Sequence, residues 1–250
     1  MTKGFDLSGE KVVIIGATTG MGLATAQLSS DLGANLSIAS RTIGKLQEVA
    51  GQIEKQSGRQ VHYEALSIED RNRVQSFLSI AAPFDHLLIP GSTVVPQLFE
   101  NITETVAKDS FESKFWGPFW AAVDAREHMP KGGSITFYSG IAADRPIKGF
   151  VIGAAIDGAL NALTRSLANE FGKSGIRVNT ISPGLILTPL FSRVDHFIDI
   201  KDFDTEHSKK SPLSRTGLPH DCAMAAVSLM VNEFINGEIL GVDGGAKSIP

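Results

Sequence analysis

Short apolar runs alternate with longer amphipathic stretches along most of this chain. Runs rich in β-branched or aliphatic residues stand at 12–15, 35–39, 61–66, 86–89, 134–138, 176–181 and 238–242. Their length and composition predict buried parallel strands. Between them, apolar residues recur at helical spacing over about 20–32, 42–56, 70–81, 103–128, 152–171 and 219–231. Strictly alternating strands and helices predict an α/β fold, a doubly wound parallel seven-stranded sheet with helices on both faces. In such a sheet ligands sit beyond the carboxyl ends of the strands, where the strand order reverses. Residues that directly follow strands are therefore the candidates for chemistry. One stretch, 185–211, has no clear periodicity and carries Phe191, Phe197 and Phe203 among Asp195, Asp199, Asp202, Asp204 and Glu206. Its length and acidity predict a substrate lid. His196 and His207 lie in it without metal-ligand spacing, so no metal site is expected.

Composition narrows the class. With 250 residues, 42% of them hydrophobic, and no linker, repeat or low-complexity break, the chain reads as one domain over 1–250. A net charge of −4 without any long basic run argues against a nucleic-acid partner. The single cysteine, Cys222, excludes an internal disulfide and fits a reducing, cytoplasmic setting. No apolar h-region opens the chain and no stretch reaches membrane-spanning length, so neither signal peptide nor membrane anchor is expected.

The strand candidate Val12–Ile15 runs into Gly16, Gly20 and Gly22 and then into a helical pattern. A strand that stops at glycines and restarts as a helix leaves unpaired N–H groups at a positive helix end, which suits a phosphate. Gly16 would allow the tight turn, Gly20 the close approach of backbone to a pyrophosphate, and Gly22 the packing of helix on strand. Thr18, Thr19 and Met21 complete this candidate cradle. The second strand ends at Ser40-Arg41. A carboxylate there would take the ribose 2′-hydroxyl of NAD, whereas a hydroxyl beside a guanidinium suits the 2′-phosphate of NADP(H). The alternative is a solvated arginine ahead of a helix capped by Thr42.

These motifs resemble the short-chain dehydrogenase/reductase family, a single-domain Rossmann-type fold. Gly16-x-x-x-Gly20-x-Gly22 has its glycine spacing, with Ile15 where threonine is usual. Asn161–Ala168 is similar to its central helix, and Gly175–Gly184, Pro212–Pro219 and Val242–Gly245 are specific matches. The resemblance implies that Ser67 and Ile68 lie along the adenine, Ser67 replacing the usual aspartate. It also implies that Pro183, Gly184, Ile186 and Thr188 meet the nicotinamide. After the fourth strand the usual Asn-Asn-Ala-Gly becomes Ile89-Pro90-Gly91-Ser92, so Gly91 and Ser92 would form a cofactor wall without the amide hydrogen bonds. A homotetramer or homodimer through helices 103–128 and 152–171 is likewise implied.

The same alignment exposes a gap. The family's serine, tyrosine, lysine and asparagine fall on Gly140, Gly153, Asp157 and Lys114. Ser139, or Tyr138 two residues back from 140, are the nearest stand-ins, and neither has an adjacent helical lysine. The charges at 157 and 114 are inverted. Lys114 and Asp157 either simply pair, or Asp157 accepts from the nicotinamide ribose, or it acts on substrate. A carbonyl becoming an alkoxide wants cations and proton donors. An iminium carbon loses its charge on taking hydride, and a free carboxylate 4 Å away would favour it by about 4 kcal/mol before desolvation. That last reading needs Asp157 at least partly unpaired.

Trp116 and Trp120 share a helical face and suit a flat or cationic ligand or a subunit contact, and Pro118 should kink that helix or open its ladder. Loss of a tyrosine at 153 leaves room for a polycyclic substrate. The expected activity is NADPH-dependent hydride transfer to an imine, an iminium or an activated C=C, with Tyr138 or water giving a proton where one is needed. In this the chain is similar to a few fungal alkaloid-pathway members of the family that lost the Tyr-Lys pair, known for iminium reduction and for templating cycloadditions. The alternatives are a non-catalytic NADP-binding sensor or scaffold, or a non-redox cyclase.

Overall fold

The computed structural model describes residues 4–91, 97–189 and 211–248. Seven parallel strands form the sheet: β1 (Lys11–Ile15), β2 (Asn35–Ser40), β3 (Val61–Ala65), β4 (His86–Ile89), β5 (Ser134–Tyr138), β6 (Arg177–Pro183) and β7 (Ile239–Val242). Their spatial order is β3-β2-β1-β4-β5-β6-β7. The chain winds outward from β1 to β3, then crosses back to lay β4 on the other side of β1, pairing Val13 with Leu87 and Ile14 with Leu88. The reversal opens a crevice above the carboxyl ends of β1 and β4.

The helices are α1 (Gly20–Asp31), α2 (Ile43–Ser57), α3 (Arg71–Ala81), α4 (Glu104–Phe111), α5 (Gly117–Ala125), α6 (Val151–Gly172) and α7 (Pro219–Val231). Successive strand residues point to opposite faces, so Val12 and Ile14 join the core under α1, α2 and α7. Val13 and Ile15 join the other, with Phe77, Phe137, Ile156 and Leu160 under α3, α5 and α6. Each fully buried side chain of this size contributes about 1.5–3 kcal/mol, which is why near-continuous apolar runs hold the strands on both faces.

The predicted helix 103–128 is not continuous. Residues 112–116 form a π-helical turn between α4 and α5, in which the Gly117 N–H reaches back to the Glu112 carbonyl. Pro118 lacks an N–H and its ring collides with the carbonyl four residues earlier, so a regular α-turn across Lys114 is denied. The other predicted elements occupy their expected places with ends shifted by one or two residues, β6 running on to Pro183.

At the amino ends of the strands, polar side chains lock the layers together. The buried His86 ring bridges Ser134 Oγ at 2.8 Å and Glu10 Oε2 at 2.7 Å. Arg177 donates from β6 to the Leu229 and Met230 carbonyls at 2.6 and 2.7 Å, satisfying the last turn of α7. Asn179 grips the following turn from both ends of its amide, to the Ile235 carbonyl and from the Glu238 N–H, each at 3.0 Å.

Candidate active site

A cavity of about 360 Å³ opens over the carboxyl ends of β1, β4, β5 and β6, along the crevice that the reversed strand order creates. Its floor is the glycine loop. Gly16 has φ +107° and touches Gly91, so that a Cβ on it would stand 2.7 Å from the Gly91 Cα. A Cβ on Gly22 would overlap the Gly16 carbonyl oxygen, so α1 can begin this close to β1 only with glycine there. Thr19 caps α1 without a side-chain hydrogen bond, and the first turn holds no acidic residue. The leading N–H groups of α1 thus face the cavity uncapped by side chains, as an anion needs.

The adenine side is built by the ends of β2 and β3. Thr18 Oγ1 and Ser40 Oγ lie 2.9 Å apart, with Arg41 and Lys45 on the same wall. Ser67 and Ile68 continue it. Gly117 lets α5 approach closely here, since a Cβ on it would sit 2.8 Å from the Ile68 carbonyl. At the far end Pro183, Gly184, Ile186 and Thr188 line the cavity after β6. The Thr188 methyl packs on Gly20, 3.2 Å from where a Cβ would be. These residues fit a nicotinamide dinucleotide: a backbone cradle where its pyrophosphate belongs, hydroxyls and cations at one end, and an orphaned buried polar atom at the other. That atom is Ser139 Oγ, which has no hydrogen-bond partner among the described residues.

The predicted catalytic positions converge at this second end. Asp157, 3% exposed on α6, and Lys114, in the π-turn, form an ion pair with Nζ 2.6 Å from Oδ1. Burial pushes the Asp157 carboxyl above the ordinary carboxylate range, against the pull of the Lys114 ammonium. Asp157 also occupies space that the missing serine would use: a Cβ on Gly140 would lie 2.7 Å from its Oδ2. The unpaired carboxylate that an electrostatic pull on an iminium requires is therefore not what the structure contains. Lys114 cancels most of that charge.

Tyr138 also reaches the cavity wall, but its hydroxyl is directed towards α1. Its hydroxyl lies 3.4 Å from Thr25 Oγ1 beneath α1, and desolvation pushes its pKa well above the ordinary phenol value. Trp116 and Trp120 are absent from the cavity wall. Trp120 carries the Arg71 guanidinium 3.9 Å above its ring, and Trp116 is 41% exposed. Ser92 and residues 190–210 of the predicted lid, with its phenylalanines, acids and histidines, fall outside the described residues. Sequence reasoning missed Lys45 and the apolar wall of Ile141, Ala142, Ile147 and Phe150. The segment 141–150 follows β5 directly, and that position alone could have flagged it. Among the described residues, no three metal-binding side chains cluster, and no helix is long and apolar enough to cross a membrane.

A family profile described as enoyl-(acyl carrier protein) reductase matches residues 16–247, nearly the whole chain. The chain belongs to the short-chain dehydrogenase/reductase family, oxidoreductases that use nicotinamide dinucleotides. Among its relatives is a tropinone reductase homologue of Arabidopsis thaliana, 29% identical over 252 residues, covering 96% of this chain and 76% of the relative. A versicolorin reductase of Emericella nidulans is 28% identical over 258 residues, with 97% of each chain covered. The MalC reductase/Diels-Alderase of Malbranchea aurantiaca superposes with a TM-score of 0.89 at 27% identity, over 97% of this chain and 98% of that one.

Proposed function

We propose that this chain is an NADP-dependent reductase that delivers hydride to a carbon already electron-poor, in an imine, an iminium or a conjugated C=C, rather than to an ordinary ketone. One observation carries the reading. Where the family places a proton-donating tyrosine with its lysine, this site has Gly153 and a buried carboxylate neutralised by Lys114 at 2.6 Å. A ketone in such a pocket would lack the phenol donor that normally meets its developing alkoxide. An acceptor activated by its own conjugation or charge needs less help. Because the pair is neutral overall, a full positive charge on the substrate is permitted but not specially rewarded.

Ser40, Thr18, Arg41 and Lys45 would hold the 2′-phosphate of NADP, and the end of β2 offers no carboxylate for a free ribose hydroxyl. Gly153 and the wall of Ile147 and Phe150 would admit a broad, largely apolar substrate. A homo-oligomer through the α4–α5 segment and α6 would cover the exposed Trp116 and Val151.

The likeness to MalC, whose name pairs reduction with a Diels–Alder activity, favours a second reading in which the cavity also templates ring closure. The test is NADPH consumption against ketones, cyclic imines, N-alkylated iminium salts and enones. Turnover should be confined to the last three classes. Efficient reduction of simple ketones would refute the proposal. Tight NADPH binding with no turnover of any class would favour a sensor or a cyclase instead.

A further inference from the structure

We infer that Lys114 is the proton donor of this site and that Asp157 is the residue that positions it. The inference rests on the reductase reading above. Lys114 projects from the π-turn into the cavity wall, its side chain 14% exposed, whereas Asp157 is 4% exposed. Both partners line the cavity, and the Lys114 side chain is the more exposed of the two. Its Nζ carries three N–H donors, and Asp157 Oδ1 engages one of them at 2.6 Å. The carboxylate is wedged against Gly140, where a serine Cβ would come within 2.7 Å of Oδ2, so Asp157 cannot swing freely and the ammonium is aimed from a fixed base. The neighbouring Ser139 hydroxyl, buried and without a partner among the described residues, marks the same end of the cavity as one that expects a polar ligand atom.

A dihydronicotinamide held in this cavity would supply one hydride, and with it both electrons, to the β-carbon of a conjugated enone. A C–H bond would form there, and the C=C pair would shift to the α-carbon. Lys114 Nζ–H breaks and a second C–H bond forms at the α-carbon, giving the saturated carbonyl compound, whereas a simple ketone needs its proton at oxygen. The resulting amine, beside the Asp157 carboxylate, regains its proton from solvent. A substrate that is already an N-alkylated iminium needs no proton at all, and Lys114 is idle towards it.

That difference supplies the test. Arginine at this position keeps the charge and the pairing with Asp157 but does not release a proton in a protein. The variant Lys114→Arg should lose about 100-fold or more in kcat on an enone, the size of a general acid's contribution. On an N-methylated cyclic iminium it should change by less than about threefold. Asp157→Asn should lower enone turnover, because the Lys114 ammonium loses its fixed base. NADPH dissociation constants, measured by calorimetry, should be alike in all three proteins. Equal losses on both substrates, or full enone activity in Lys114→Arg, would overturn the assignment and leave the reductase reading standing. Failure of the wild-type protein to reduce either substrate would remove both.

Discussion

Removing the Lys114 ammonium while leaving its partner in place tests how the inverted charges are held. Nζ and Oδ1 are 2.6 Å apart, on side chains 14% and 4% exposed. At an effective dielectric near 20, unit charges at that spacing attract by about 6 kcal/mol. Withdrawing two ions from water costs several kcal/mol each, so the pair is close to break-even against an apolar replacement. One-sided removal is different, because Lys114→Met strands a buried carboxylate. The expected loss is about 3–5 kcal/mol, a large part of the about 5–15 kcal/mol that stabilises an ordinary domain. Asp157→Leu alone strands the ammonium at a similar cost, and the double variant Lys114→Met/Asp157→Leu should return to within about 1 kcal/mol of wild type, or exceed it. Urea unfolding of the cofactor-free protein at pH 7, with the m-value checked for constancy, measures all three. A single variant within about 1 kcal/mol of wild type, or a double variant as unstable as the Lys114→Met protein, would refute a buried, mutually dependent pair.

Three further outcomes follow from other parts of the molecule. Because burial raises the Asp157 carboxyl above its ordinary range, its stabilising contribution is complete at low pH and is lost as pH rises through the raised value. The stability of Asp157→Asn relative to wild type should therefore climb between acid and neutral pH, and a flat difference in chemical unfolding would refute the burial argument. Arg41→Ala, if Arg41 contacts the 2′-phosphate, should weaken NADPH binding by about 10- to 100-fold and leave NADH binding nearly unchanged; equal weakening of both, by calorimetry, would count against it. Arg177→Met should destabilise the fold by about 3 kcal/mol, since it uncaps the Leu229 and Met230 carbonyls that close α7. A melting temperature shifted by less than a degree would show that water replaces the guanidinium without cost.

Much of this architecture was legible from local pattern. Val12–Ile15 and Leu87–Ile89 are too apolar and too short for anything but strands buried on both faces, and the glycine loop between β1 and α1 announces its own geometry. Proline could be read as a fault in the helix at 118, but whether the ladder would kink or widen depends on how α5 packs against Ile68. Likewise, alignment brings Lys114 and Asp157 to neighbouring elements, yet nothing in a one-dimensional pattern decides whether they touch. Strand parity has a limit at Tyr138. Strand parity puts residues 138 and 140 on one face, but β5 ends at 138 and Gly140 already begins the next turn, Ile141–Ala143. Parity does not survive past the last ladder bond. Both residues line the crevice, but the Tyr138 hydroxyl keeps the strand's direction towards Thr25.

The widened turn at 112–116 also limits what can be transplanted. In a regular helix each residue advances the direction by about 100°, so a segment that takes one residue more per turn rotates everything on one side of it relative to the other. Grafting Lys114 and Asp157 alone onto a straight helix would point the amine past its partner. To move this chemistry into another scaffold, the irregular backbone and the proline that enforces it would have to travel with the two side chains as a single cassette.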